Sequence, residues 1–507
     1  MEKIVIMTRE NGNGSMKIDI LKKSLQWLIF LIVAWSCYVY GFVVKANGDN
    51  VEHLHSSWLI WQGYVPYKDF FQHHNPLLWY ISAPFVALLI NHIEIFSVFN
   101  LVSVLAVWLM AYCMGALLVQ NGNRKISSIW LVACIVSSYS ILWALNFRPD
   151  TFMYVCFFAG MLFLFKYLEK QQIWMLVTAY LNFFAAFMFT QKVLLNLIVP
   201  AGLVVYALGT RKIKIKDMLW ASVLPLLLLA AYAAYLYYNN ILHLYWQANF
   251  PFNTHIPDIF YKNRITFPPR EYFEFYIFIP LGGIASVYFL LKGNMMEKVF
   301  SLIFVEETLL RMFYFSAFLH YSIFWLILGI MLTVMLLDKF PRVDKLWVIL
   351  GAVYLATACA YNYNETYVKE LPARNHQAGH EYAFYHLTPC DEAINGYYAV
   401  YNLKAKDAGY YWVLLGQIDV LGEKVGIRKR DNLNELIRAR KPKIVSAGIY
   451  WDTYWEQRGT KIPAHHLDPY LLNTYYEYSG LGDIFILKPQ YQKHKCRYNG
   501  KSWEYID

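Results

Sequence analysis

Long apolar blocks limit what this chain can fold into. The blocks at 27–44 and 219–238 carry no charged side chain, and a run of about 20 apolar residues can cross the hydrocarbon core of a membrane as a helix. Charged residues make up only 16% of the chain, compared with about 25% in soluble proteins. The pattern predicts a polytopic α-helical membrane protein with about 11 transmembrane helices. The first block is too long for a cleaved signal peptide and lacks its cleavage site.

Basic residues between the apolar blocks predict the orientation of the chain. Residues 1–23 are polar and basic, and further basic clusters lie at 121–125, 211–216 and 292–298. Lysine and arginine favour the cytoplasmic side. All these clusters reach that side only if the apolar stretch 77–91 lies in the outer interface and does not span. The net charge of +10 is therefore a topology signal and not one basic face, which argues against nucleic-acid binding.

The expected domains follow from this orientation. We expect a cytoplasmic N-terminus at 1–23, a transmembrane domain at 24–361 with an outer loop at 45–96, and an extracytoplasmic domain at 362–507. The expected transmembrane helices lie at 24–44, 97–119, 127–145, 151–168, 173–190, 193–208, 218–238, 272–291, 299–319, 321–337 and 346–361.

The C-terminal region 362–507 has the pattern of a small α/β domain. Three short apolar stretches are typical of strands and a fourth is typical of a helix. They lie at 410–415, 442–446, 483–487 and, for the helix, 433–440. Cys390 and Cys496 are the two cysteines of this region, and they can pair if it lies outside the cytoplasm, where disulfides persist.

The first outer loop concentrates polar residues of the kinds that carry chemistry. Its order is Asp49, then Gly63-x-x-Pro66-Tyr67-x-Asp69-Phe70-Phe71-x-His73-x-x-Pro76-Leu77. A single acid at a helix exit is usually a cap or an interfacial charge. Several acids and histidines within one loop framed by glycine and proline favour a functional site.

This pattern resembles the first outer loop of GT-C glycosyltransferases, and within them the group of protein O-mannosyltransferases and aminoarabinose transferases. The resemblance extends from the first apolar block to about residue 337, and more weakly into the C-terminal region. It implies the GT-C fold and an inverting enzyme that moves a hexosyl or pentosyl group from a polyprenyl-phosphate carrier. The implied acceptor is a lipid-linked saccharide, lipopolysaccharide or other surface glycan. The implied location is a bacterial inner membrane, with a periplasmic C-terminal domain and membrane lipids as further partners.

The resemblance also points to particular residues. In the family, an acid at the end of the first helix faces the acceptor, and Asp49 matches that position. An acid at the outer end of the third helix matches Asp150, and a lysine at the outer end of the fifth matches Lys192. A His-Tyr pair in an outer loop resembles His320-Tyr321.

The chemistry of sugar transfer suggests roles for these groups. The acceptor hydroxyl must lose a proton, and a nearby carboxylate acts as general base, for which Asp49 is the candidate. The leaving phosphate gains negative charge, which fixed cations stabilise. Lys192 and Arg148 are the candidates for that role, with Arg264 and Arg270 of the second outer loop in reserve.

The remaining candidates for substrate contact are Asp69, His73 and His74 of the first loop. One interpretation is that His73, His74 and His255 hold a divalent metal ion together with Asp150, since oxygen and imidazole ligands suit several metals. The other is that the histidines bind sugar or phosphate directly by hydrogen bonds. No further cofactor is implied.

Other interpretations stay open at this point. A lipid-linked glycan ligase or polymerase would use arginine pairs in large outer loops, such as Arg264 and Arg270. A transporter would show internal repeats and polar residues near mid-membrane, and the sequence has neither pattern. A glycan-binding membrane scaffold is a fourth interpretation. Glu307 and Arg311, beside Glu306, are either a structural pair within a helix or contacts to a substrate cavity.

Overall fold

The computed structural model describes a bundle of apolar helices that is followed by a mixed β-sheet. The described residues are 31, 34, 48–260, 273–313, 319–340, 344–365, 386–394, 403–412, 418–446, 473–477, 484–491, 496–498 and 503–505.

The helices are numbered here in chain order within those residues. They are α1 (Gly48–Trp61), α2 (Leu77–Leu89), α3 (Ile95–Gln120), α4 (Lys125–Ser137), α5 (Tyr139–Ala144), α6 (Pro149–Lys170), α7 (Ile173–Phe189), α8 (Val193–Asn196), α9 (Ile198–Gly209), α10 (Ile215–Tyr238), α11 (Leu242–Asn249), α12 (Pro251–Phe260), α13 (Phe273–Lys292), α14 (Met295–Phe313), α15 (Leu319–Asp338), α16 (Asp344–Tyr363), α17 (Ile418–Lys424) and α18 (Leu433–Arg440).

Most of the predicted membrane helices lie where the apolar blocks placed them. Within the described residues, α3, α6, α10 and α13 are long and apolar enough to cross a membrane. Helix α2 has 13 residues and is therefore about 20 Å long, which is shorter than the hydrocarbon core. The predicted helix at 24–44 lies outside the described residues except for positions 31 and 34.

The structure departs from the predicted helices in three places. The predicted helix 127–145 is divided into α4 and α5, because Ser138 is extended and its hydroxyl caps α5 by accepting a hydrogen bond from Ile141 N at 3.2 Å. The predicted helix 193–208 is divided into α8 and α9. The first outer loop contains α1 as well as α2, whereas no helix is predicted for residues 45–76.

Small residues let two bundle helices approach closely. A Cβ atom on Gly282 of α13 would lie 2.8 Å from Gly329 Cα of α15, and one on Gly329 would lie 2.7 Å from Phe278 O. Apolar helices have little hydrophobic drive to associate within lipid, so close backbone contact contributes much of their attraction. This crossing fixes α13 and α15 against each other.

Polar side chains connect the α3–α4 turn, the start of α14 and the end of α15 at one end of the bundle. Asp338, which ends α15, lies 2.5 Å from Arg124 Nε of the α3–α4 turn. Glu297 at the start of α14 lies 2.6 Å from Lys339 Nζ. Gln120, beside this cluster, donates to Glu169 at the end of α6. The first turn of α6 therefore lies at the opposite end, about 30 Å away.

The C-terminal residues form the mixed sheet. Its strands are β1 (Glu392–Ile394), β2 (Lys406–Asp407), β3 (Ile444–Ser446), β4 (Tyr475–Glu477) and β5 (Ile484–Leu487), and β6 (Cys496–Tyr498) pairs separately with β7 (Trp503–Tyr505). The order is β2-β1-β3-β5-β4, with β1 parallel to β2 and β3, and β5 antiparallel to its neighbours.

The predicted elements of this region are mostly found. Strands β3 and β5 and helix α18 lie at the predicted positions, and Cys390 and Cys496 form a disulfide with Cα atoms 5.9 Å apart. The predicted strand at 410–415 is wrong for residues 410–412, which belong to no strand. Residues 413–415 lie outside the described part of the chain.

Candidate functional site

The site is built around the first turn of α6. Arg148 precedes the helix in an extended conformation, Pro149 occupies its first turn, and Asp150 follows. Proline suits this position because it has no backbone N–H to leave unpaired. A carboxylate in the first turn is stabilised by the positive end of the helix dipole. The short sequence Arg-Pro-Asp thus places a cation and an anion side by side at the end of the bundle.

Four side chains of alternating charge form a row across this end. The Arg148 guanidinium donates to Asp49 Oδ2, and its Nε lies 3.6 Å from Asp150 Oδ2. Lys192 Nζ lies 3.3 Å from the other oxygen of Asp150. The charges of the two acids and two bases cancel. Arg148 lies between Asp49 and Asp150, and Lys192 lies beside Asp150. Three elements distant in sequence therefore meet in one charged row.

Exposure changes along the row. The side chain of Asp49 is 47% exposed, whereas that of Asp150 is 2% exposed. Arg148 and Lys192 are largely covered. The row therefore runs from an open carboxylate at Asp49 into the protein.

Glu52 lies one turn after Asp49 on α1 and is buried. Its Oε1 has no hydrogen-bond partner among the described residues. Burial raises the pKa of Glu52 to about 8, and the charge of Asp49 adds to this, while a hydrogen bond with Gln72 and the charge of Arg148 oppose it. A carboxyl group in this environment carries a proton at neutral pH.

Three imidazoles lie beside the row. The ring centroids of His73 and His74 are 4.1 Å apart, and those of His53 and His74 are 5.7 Å apart. Burial lowers the pKa of His73 to about 3, with help from the charges of Lys192 and Arg148. Burial likewise holds the pKa values of His53 and His74 well below the ordinary value of a histidine. The three rings are neutral at physiological pH.

The hydrogen bonds of the rings indicate what they can bind. Trp79 Nε1 donates to His53 Nδ1 at 3.1 Å, so neutral His53 carries its proton on Nε2. Nδ1 of His73 and Nδ1 of His74 have no partner among the described residues. Neutral imidazoles can both donate and accept hydrogen bonds.

Several predicted residues lie elsewhere or cannot be placed. Asp69 is exposed and its carboxylate accepts from Val65 N at 2.7 Å, which closes a turn of the first loop. The side chains of His320 and Tyr321, in the first turn of α15, lie outside the described residues. Arg264 and Arg270 lie there as well.

The structure does not assemble the predicted metal ligands. His255 Nδ1 bonds to Pro251 O of its own helix at 2.8 Å. Within the ranges that the structure describes, no three His, Cys, Asp or Glu side chains are grouped so that they could hold a metal ion.

The acid-base pair of α14 has a structural environment. Arg311 Nη2 lies 3.3 Å from Glu307 Oε2, Asn196 of α8 donates to the other oxygen of Glu307, and Arg311 Nη1 donates to Ser322 of α15 at 3.4 Å. The pair connects three helices, which supports the structural interpretation. Both carboxylate oxygens of Glu306 are buried without a partner among the described residues.

Three residues at the site had no role assigned from the sequence. Glu52 and His53 are buried beside the row, and Gln191 donates to His73 O at 3.0 Å. The spacing of Asp49 and Glu52 was a usable signal, because residues three apart share a face once 48–61 is recognised as a helix. No local sequence pattern indicates that Gln191 binds the backbone of the first outer loop.

Comparisons with known proteins reveal a shared fold. No protein-family model matches the chain, and no curated protein is similar to it in sequence. The structure of ArnT from Cupriavidus metallidurans in the apo state matches with a TM-score of 0.55 and 12% identity, over 92% of this chain and 98% of that one. The structure of the same protein bound to undecaprenyl phosphate matches with a TM-score of 0.52 and 12% identity, over 91% and 97%. The chain therefore has the fold of these ArnT structures, as the first-loop motif predicted.

Proposed function

We propose that this protein is an inverting glycosyltransferase that moves a sugar from a polyprenyl-phosphate carrier to a lipid or glycan acceptor. Transfer takes place at the outer face of a bacterial inner membrane. The observation that carries the proposal is the charged row of Asp49, Arg148, Asp150 and Lys192 at one end of the helix bundle. The shared fold with an ArnT structure bound to undecaprenyl phosphate supports the choice of carrier.

Asp49 is the general base of the proposed reaction. The acceptor oxygen attacks the anomeric carbon as its proton passes to the Asp49 carboxylate. The bond from the anomeric carbon to the phosphate oxygen breaks, and its electron pair leaves with the phosphate. One displacement inverts the anomeric configuration. Because Asp49 is the most open member of the row, it can return the proton to water afterwards.

Arg148 and Lys192 stabilise the leaving phosphate. The departing polyprenyl phosphate gains a negative charge, and preorganised cations stabilise such charge without having to reorient. Asp150 lies between the two cations and holds them in place. It is therefore a positioning residue in this proposal.

The neutral polar groups beside the row contact the sugar. His73 and His74 have unpartnered ring nitrogens, and they lie close enough to Arg148 and Lys192 for these cations to lower their pKa. A sugar bound to a phosphate at the cations would present its hydroxyls to these rings.

The experiment is complementation of cells that lack the gene, with the surface glycolipids measured by mass spectrometry. Asp49→Asn is nearly isosteric and removes the base, so we expect transfer to fall by about 100- to 10,000-fold. The glycolipids should then lose the same single sugar as in the uncomplemented cells.

The matched control is Asp69→Asn. It makes the same chemical change in the same loop, at an exposed acid that closes a turn. We expect this variant to restore the wild-type glycolipids. If Asp49→Asn restores them equally well at equal protein level, Asp49 is not the base and the proposal loses its chemistry.

A further inference from the structure

A C-terminal segment is hydrogen-bonded to the first outer loop. Phe71 N donates to Tyr410 O at 3.0 Å, Tyr410 Oη donates to Tyr67 O at 2.7 Å, and Trp412 Nε1 donates to Phe71 O at 2.9 Å. The two side-chain donors bond to residues 343 and 341 positions away. Residues 403–412, called here the C-terminal clamp, thus contact the loop that carries the histidines.

A buried hydrogen bond between a histidine and an aspartate joins the same segment to α1. His55 Nε2 lies 2.8 Å from Asp407 Oδ2, with side chains 0% and 5% exposed. His55 Nδ1 lies 3.4 Å from Leu403 O. Both ring nitrogens of His55 face oxygen atoms. The His55 ring also packs against Trp412, with centroids 4.7 Å apart.

The clamp contributes to two apolar cores. Leu403, Tyr410 and Trp412 belong to the same apolar core as Tyr67 and Phe71 of the first loop. Ala408 belongs to the core of the sheet, and Lys406 and Asp407 form strand β2, which pairs with β1. The clamp therefore connects the sheet to the helical domain.

The contacts of the clamp connect it to the helix that carries Asp49 and to the backbone of His74. His55 and Asp49 lie on the same short helix, α1. Tyr67, which accepts from Tyr410, donates through its own hydroxyl to His74 O. From the other side, Gln191 and Asn253 donate to His73 O at 3.0 and 2.8 Å. The backbone of the two histidines is thus held between the clamp and the end of the bundle.

We propose that the C-terminal clamp is a positioning element of the transfer site, and that Asp407, through His55, holds α1 and the histidine loop in the geometry that transfer requires. This inference rests on the proposed function for its kinetic consequences. Residues 64–76 lie between α1 and α2 without a helix of their own, and the hydrogen bonds from Tyr410 and Trp412 help to hold them in place. Misplacement of a catalytic group by about 1 Å can lower a rate about 100-fold.

The test compares Asp407→Asn with Asp391→Asn in the full-length purified protein. Asp391 is also a buried C-terminal acid, but it accepts from Thr388 and lies 3.2 Å from Lys443 within its own region. We expect Asp407→Asn to lower kcat by about 10- to 100-fold with a KM for the donor that changes by less than about twofold, because the cations that bind phosphate are not touched. Asp391→Asn should leave kcat within about twofold of wild type at the same folded fraction.

The pair is tested by a double variant. If His55 and Asp407 act as one unit, His55→Gln combined with Asp407→Asn lowers kcat no further than Asp407→Asn alone. Losses that multiply instead would show that the two residues act independently and would contradict the clamp.

A second readout does not depend on activity. Hydrogen–deuterium exchange of the peptide that covers residues 66–74 reports on the Phe71 amide, which the clamp holds. We expect Asp407→Asn to speed this exchange at least about tenfold, whereas Asp391→Asn leaves it unchanged. If exchange in Asp407→Asn equals that of wild type, the clamp is refuted whether or not the protein transfers sugar. If exchange responds but the wild-type protein transfers nothing, the proposed function fails, not the clamp.

Discussion

The protonated state of Glu52 gives a prediction whose size follows from the structure. Glu52 is buried beside Asp49, and its Oε1 has no partner among the described residues. Burial raises its pKa from the ordinary value of 4.5 to about 8. Below that pH the group carries a proton in the folded protein, whereas in the unfolded chain it is already ionised above pH 4.5.

The sign of the effect follows from proton counting. Between pH 4.5 and about 8 the folded state binds more protons at Glu52 than the unfolded state does, so the free energy of unfolding falls as the pH rises. Above about pH 8 the effect levels off. The difference between the pKa values of 4.5 and about 8 lowers the free energy of unfolding by about 5 kcal/mol once Glu52 is ionised in both states. Glutamine cannot ionise, so Glu52→Gln removes this loss.

The assay is thermal unfolding of the purified protein in detergent at several pH values from 5 to 9. We expect the melting temperature of Glu52→Gln, relative to wild type, to rise steadily between pH 5 and 8. Asp69→Asn changes an exposed acid of the same loop. Its melting temperature should change with pH in the same way as that of wild type. A constant difference between Glu52→Gln and wild type across this range would refute the account of the buried carboxyl group.

Two further predictions concern stability. Gly329→Ala places a methyl group 2.7 Å from Phe278 O, so it should lower the free energy of unfolding by about 1–3 kcal/mol. Gly283→Ala should be tolerated, because a Cβ atom there has nothing within 4 Å. Equal melting temperatures for the two variants would contradict the close crossing. Cys390→Ser removes the bond to Cys496, across a separation of 106 residues, and should cost the C-terminal region about 2–5 kcal/mol; limited proteolysis measures this, and an unchanged cleavage rate would contradict it.

The sequence predicted the elements that depend on local composition. Helices α3, α6 and α7 lie within about two residues of the predicted positions, as expected for the accuracy of helix ends, because uninterrupted apolar residues define them. Asp150 and Lys192 were singled out by the resemblance to GT-C glycosyltransferases, and Arg148 and Lys192 by the need for cations at a leaving phosphate. The structure places the three side chains next to one another.

The elements that depend on distant contacts could not be predicted. Helix α1 mixes polar and apolar residues without a clear face, and tertiary contacts such as that of His55 with Asp407 hold it. Residues 410–412 are rich in aromatic side chains, which favours a strand. Their backbone bonds to Phe71 of the outer loop and not to the sheet.

The most direct test of the central claim is to incubate the purified protein with a polyprenyl-phosphate-linked sugar and a mixed glycolipid acceptor. Free polyprenyl phosphate and glycosylated acceptor are then quantified together. The account predicts that wild type releases one polyprenyl phosphate for each sugar transferred, with inverted anomeric configuration, and that Asp49→Asn releases almost none. Release by Asp49→Asn at the wild-type rate, or transfer with retained configuration, would contradict the proposed reaction.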